Sequence, residues 1–144
     1  MDNNFYTNRG YQIKNEDVLS ASMEDYIEMI YRIFCEKQVV RVNDLSEALN
    51  VQPPSTSKMI KKLASTGYVS YEKYGVIKLT DKGIDIGKYL LYRHSTIYEF
   101  LNIIGVKNNL LEQTENIEHA IYSETLNKIK FLIEFLKDNN FKNN

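Results

Sequence analysis

The chain has 144 residues, 43% hydrophobic and 26% charged, with a formal net charge of −1; that is enough for one globular unit or two small, closely packed ones. No run of eighteen apolar residues occurs, which excludes a transmembrane helix, and residues 1–15 are too polar for a secretory signal, so a cytoplasmic protein with no membrane attachment is expected. A near-neutral total is not the usual footprint of a nucleic-acid binder, but the charge is unevenly spread.

Residues 1–19 lack periodicity and read as a flexible extension. Within it, Phe5, Tyr6 and Tyr11 could pack onto the body, and Arg9 and Lys14 could reach DNA. The first helix is predicted to open at Ser22, with a carboxylate three residues on at Asp25, and to run to about Lys37. Met23, Ile27, Ile30 and Phe34 form its inner stripe, widened by Tyr26 and Ile33. The single cysteine, Cys35, excludes an intrachain disulfide and reads as a buried or half-buried thiol. A short helix follows over residues 42–51, with Asn43 as its cap and Asn50 suited to the left-handed residue that ends it. Pro53 and Pro54 mark a third helix, to about Ser65, with Met59, Ile60 and Leu63 inward and Gly67 closing it.

Residues 68–72 and 76–79 are β-branched or aromatic and flank Gly75, the pattern of a two-stranded hairpin. Thr80 caps a long helix to about Ile104, stopped by Gly105, and two further helices are predicted over 110–121 and 124–137. The expected architecture is mainly α. An extension (1–19) precedes a winged helix-turn-helix domain (20–80) and a helical domain (81–144), with the helix over 80–104 joining the last two.

In that arrangement the third helix lies in the DNA major groove. From Gln52 to Thr66 there are three lysines and no acidic residue, so the local charge is positive although the total is not. Pro54, Ser55, Thr56 and Ser57 are small enough for close approach, and Lys58, Lys61 and Lys62 can neutralise phosphates. Lys73 and Tyr74, at the hairpin tip, are placed to touch the sugar-phosphate backbone. The alternative for the lysines is a solvated helix face.

Glu115, Glu118 and His119 stand at i, i+3 and i+4, one face of a helix, and Asp25 and Glu28 share a face of the first helix. With His94 they take in both histidines of the chain. Four carboxylates gathered without a cation would repel and raise one another's pKa values, a penalty that a divalent metal removes. Oxygen and imidazole donors without thiolate suit manganese or ferrous iron. Each piece has a plainer alternative: Asp25 as a helix cap, Glu28 as a solvated residue, His94 as a surface histidine.

These residues resemble the diphtheria toxin repressor family across residues 22–136. The likeness rests on Ser22 to Glu28, Pro53 to Lys62, Tyr71 to Tyr74, Tyr92 to His94, Phe100 to Val106 and Ile117 to His119. It implies a homodimer that binds a palindromic operator in double-stranded DNA when metal joins its two domains. It also carries the family's ligand positions onto Asp25, Glu28, His94, Glu115, Glu118 and His119. An aspartate at position 25, and a chain that ends before any SH3-like domain, point to the manganese-responsive branch. The resemblance further implies two manganese ions per subunit, with ferrous iron as the alternative, and Glu115 and Glu118 bridging. One ion falls to Asp25, Glu28 and His94, and the other to His119 and a backbone carbonyl. The expected function is a repressor controlling manganese homeostasis, not an enzyme. The rivals are an iron-responsive relative and a winged-helix regulator that senses no metal. A di-iron bundle would need Glu-x-x-His motifs, and the sequence has none.

Overall fold

The computed structural model describes residues 19–72 and 75–142, so the expectations for residues 1–18 and for Lys73 and Tyr74 lie outside the described residues. Helix α1 spans Ala21–Lys37. Its cap is Ser20, not Ser22: the extended backbone of Ser20 turns its hydroxyl back to accept the Met23 N–H at 3.2 Å. Asp25 therefore lies inside the helix and caps nothing. Met23, Tyr26, Ile27, Ile30 and Ile33 are buried, whereas Phe34 is 40% exposed. The helix has left the core by its last turn, and residues 34–39 are all exposed. Cys35 is exposed for the same reason, against the expectation of a sheltered thiol.

A two-residue strand, β1 (Val40–Arg41), runs straight into α2 (Val42–Leu49). Arg41 thus takes the cap position expected of Asn43. Asn50 ends α2 in the left-handed conformation, at φ 53°. Helix α3 (Pro53–Ser65) opens on its two prolines, whose missing N–H groups would be unpaired there in any case. The Ser46 hydroxyl, on α2, bridges 2.8 Å to the Val42 carbonyl and 2.8 Å to the Thr56 hydroxyl on α3, locking the helix pair. Strands β2 (Val69–Tyr71) and β3 (Val76–Leu79) form the predicted hairpin. β1 adds to it, giving an antiparallel sheet of order β1-β3-β2 with Val40 opposite Ile77.

Thr80 caps α4 (Asp81–Ile103), its hydroxyl accepting the Gly83 N–H at 3.1 Å. Helix α5 (Leu110–Glu118) ends three residues before the predicted 121, because His119 already serves as its cap. Helix α6 spans Ser123–Asp138. One core gathers the α1 stripe with Val40, Leu45, Ile60, Leu63, Val69, Ile77 and Leu90. A smaller one is built on Ile97, Leu101 and Leu126. Helix α4 serves both, so side chains midway along it sit at their junction. Among the described residues no helix is long and apolar enough to cross a membrane.

Candidate metal centre

Three elements converge at that junction. Helix α1 brings Asp25 and Glu28, α4 brings His94, and α5 brings Glu115, Glu118 and the capping residue His119. Thr114 and Glu118, one turn apart on the inner face of α5, are both buried, and Glu118 is only 1% exposed. His94 Nδ1 lies 2.8 Å from Glu118 Oε2 and 3.3 Å from Glu115 Oε1. His119 Nε2 lies 3.0 Å from Asp25 Oδ1 and 3.8 Å from Glu118 Oε1. Glu28 is buried and accepts from the Arg32 guanidinium at 3.1 and 3.0 Å. A cleft lined by Asp25, Glu28, Met29, Ala48, Leu49 and Glu115 opens onto the cluster.

All six predicted residues are brought together, but not in the partition the family resemblance implied. Two groups have donor atoms lying within 4.8 Å of one another: Asp25, Glu115, Glu118 and His119, and Glu28, His94, Glu115 and Glu118. Asp25 and Glu28 stand one turn apart on α1, and that rise separates them. Asp25 faces the end of α5 at His119, and Glu28 faces His94. Glu115 and Glu118 are common to both groups.

The donor chemistry fits a divalent cation. Burial and the neighbouring Glu118 charge push the carboxyl groups of Glu28 and Glu115 above the usual carboxylate range. The histidines compensate. The hydrogen bond to Glu118 raises His94 despite its burial. Hydrogen bonds to Asp25 and then Glu24 push His119 up to about 10. Protons thus hold positions where a metal cation would relieve the same repulsion.

The sequence reading missed two participants. Glu24 accepts from Arg93 Nη1 at 2.9 Å and lies 3.1 Å from His119 Nδ1. Arg93 is 4% exposed. Both stood in quoted motifs beside a predicted ligand, and only the fold shows that they meet across 69 residues.

On the face expected to meet DNA, Pro54, Ser55, Lys58, Lys61 and Lys62 are exposed along α3 and Ser57 is partly so. Thr56 is fully buried. Its hydroxyl is engaged by Ser46, so it is a packing residue of the helix pair and not a surface for bases, contrary to expectation.

The family model described as "Iron dependent repressor, N-terminal DNA binding domain" matches residues 18–77, and "Iron dependent repressor, metal binding and dimerisation domain" matches residues 80–144. The chain is 44% identical over 120 residues to the HTH-type transcriptional regulator MntR of Bacillus velezensis, covering 83% of this chain and 84% of that protein. It is 43% identical over 121 residues to MntR of Shouchella clausii, covering 83% and 85%. Among solved structures, the metal-dependent transcriptional regulator MtsR superposes with a TM-score of 0.73 at 27% identity, covering 81% of this chain and 55% of that one. The manganese regulator SloR superposes at 0.68 and 27% identity, covering 76% and 53%. The chain therefore spans about half the length of those solved structures.

Proposed function

The chain belongs to the iron-dependent repressor family, in its MntR branch, and on that premise we propose that it represses manganese-homeostasis genes as a homodimer that binds palindromic operator DNA when loaded with manganese. The family is one of transcriptional regulators, not enzymes. The observation that carries the proposal is the junction of six oxygen and imidazole donors contributed by α1, α4 and α5. A cation there neutralises the carboxylates of α1 and α5 together and so favours one placement of the DNA-binding helices over others. Two overlapping donor groups support two manganese ions per subunit. Ferrous iron shares these ligand preferences and is the second metal to test. Exposed Phe131, Leu132 and Phe135 give α6 an uncovered apolar face that a second copy would bury. A regulator acting on DNA in this way works in the cytoplasm.

The test is enrichment from a pool of random-sequence duplexes, run in parallel with MnCl2, FeCl2, ZnCl2, CoCl2 or chelator. Manganese should yield a two-fold-symmetric consensus and chelator none; equal binding under both conditions sinks the reading. With the enriched duplex, Lys58→Ala and Lys61→Ala should weaken binding at every manganese concentration. Each should also lower the slope of log affinity against log salt by about one per lost phosphate contact. Thr56→Val should change stability and leave that slope alone, since the side chain is buried.

Ligation needs the imidazole lone pair, so manganese must expel the proton that His119 holds up to about pH 10. At least one proton should be released per protein at neutral pH, read by calorimetry in buffers of different ionisation enthalpy. Apparent manganese affinity should climb as pH rises. The metal-free protein should change in the opposite direction. A His119 pKa raised by folding stabilises fully below the unfolded value near ~6.5. That contribution is lost as pH rises towards about 10. The raised carboxyl groups of Glu28 and Glu115 act in the same sense, their contribution being lost as pH rises above the ordinary carboxylate range. Buffer-independent binding heats would contradict the proton count.

A further inference from the structure

The best-buried charged pair outside the two donor groups is Glu24 with Arg93, at 2.9 Å and with side chains 14% and 5% exposed. Such a pair is weak evidence for stability, because desolvating two charges costs about as much as their attraction returns. Arg93 even leaves its Nε buried with no hydrogen-bond partner among the described residues. The pair has a second neighbour, however: the His119 ring.

The two ring nitrogens of His119 face different partners. Nδ1 lies 3.1 Å from Glu24 Oε1 and 3.3 Å from Arg93 Nη2, and Nε2 lies 3.0 Å from Asp25 Oδ1. Once ligation has removed one of its two ring protons, His119 is a neutral imidazole with a single N–H, whereas a guanidinium only donates and a carboxylate only accepts. Two arrangements follow. Nδ1–H can donate to Glu24, leaving the Nε2 lone pair towards Asp25. Alternatively Nε2–H donates to Asp25 while Nδ1 accepts from Arg93. The Glu24 charge decides between them, since Arg93 keeps its 2.9 Å bond to Glu24 in either case and gives up only the 3.3 Å contact to Nδ1 in the first. The second arrangement sets a carboxylate oxygen against a nitrogen lone pair at Glu24, which is only 14% exposed and is held in place by Arg93 at its other oxygen. Asp25 is 42% exposed, so water can satisfy it when it receives no ring proton.

We propose that Glu24, braced by Arg93, is a positioning residue that accepts the His119 Nδ1–H and thereby presents Nε2 to the donor group of Asp25, Glu115 and Glu118. Arg93 also keeps Glu24 from joining that group, by occupying its second oxygen. The arrangement ties α1, α4 and the end of α5 through residues that are not themselves ligands. This inference rests on the reading of His119 as a metal ligand.

Two measurements test it. In zinc-loaded protein carrying 15N-labelled histidine, the His119 shifts should show Nε2 bound and Nδ1 protonated; zinc on Nδ1 overturns the proposal. The double variant Glu24→Leu/Arg93→Met replaces the pair with apolar side chains. Its melting temperature should stay within ~5 °C of the parent, as expected for a buried ion pair replaced whole. Its manganese affinity should nevertheless fall by about 10–100-fold, the usual effect of removing a partner of a ligating histidine. Glu24→Gln, which keeps an acceptor for Nδ1–H, should recover part of the loss. Unchanged manganese affinity in the double variant overturns the proposal, and if that variant fails to fold the ring shifts still decide. His119→Ala separates the two failures. If it binds manganese like the parent, the ligand reading falls and this inference with it. If it binds weakly while the double variant binds normally, only the positioning role falls.

Discussion

Glu118→Gln is expected to abolish the manganese response of DNA binding, with manganese affinity falling by more than ~100-fold, beyond the range seen for partners one step removed from a metal. Glu118 belongs to both donor groups, and at 1% exposure it has no room to be replaced by water. The glutamine has nearly the same shape and keeps an oxygen to accept from His94, so the helix packing survives. What disappears is a charge that both groups need. Metal-free stability should hold or rise, because the Glu118 charge is the main electrostatic influence raising the carboxyl groups of Glu28 and Glu115. Asp25→Asn should be milder, since Asp25 serves one group only and is half-exposed. The measurement is fluorescence anisotropy of the enriched duplex against manganese concentration, beside thermal melts of the metal-free proteins. A variant with the parent's manganese midpoint would remove Glu118 from the site. Because coupling is reciprocal, duplex should tighten manganese binding in the parent by the factor that manganese tightens duplex, and do neither in the variant.

The fold and the donor set were legible to different degrees, for physical reasons. The α4 and α3 boundaries could be read because Thr80 and the Pro53-Pro54 pair act locally: a cap hydroxyl or a missing N–H needs no distant partner. β1 could not, since two residues carry no periodicity and Val40 becomes a strand only by pairing with Ile77. The six donors were readable as residue types at helical spacing. Their partition was not, because whether Asp25 meets His94 or His119 depends on how α1 lies against α5. Thr56 shows the same limit in reverse. Its position in α3 was legible, but its burial against Ser46 is set by the angle between two helices. Glu24 and Arg93 stood beside predicted ligands and gave no signal, since a buried ion pair between distant positions leaves no mark on local spacing.

That geometry depends on how closely α4 approaches its neighbours, and two glycines set the distance. A Cβ at Gly83 would lie 2.0 Å from the Tyr68 carbonyl oxygen. The same oxygen accepts the Thr80 N–H at 3.1 Å, so it is held in place and cannot retreat. Alanine normally gains up to ~1 kcal/mol over glycine inside a helix. Here overpacking against fixed backbone should reverse the sign and cost ~3 kcal/mol or more. Gly83→Ala is therefore expected to lower stability sharply in urea unfolding, and manganese, which stabilises only the folded chain, should raise the midpoint of parent and variant alike. Gly87→Ala is the graded counterpart. Its Cβ would sit 2.8 Å from the Tyr31 Cβ and 2.9 Å from its Cγ, atoms close to the α1 backbone that no rotamer change can clear. Relief requires α4 to stand off α1 by a few tenths of an ångström, for a net cost of ~1 kcal/mol once helix propensity is set against strain. The same displacement draws His94 away from Glu28, so Gly87→Ala should weaken manganese binding out of proportion to its loss of stability. Alanine at both positions unfolding at the parent's urea midpoint would mean that α4 is not wedged against α1 and the wing. The close approach would then not be what holds the donor groups together.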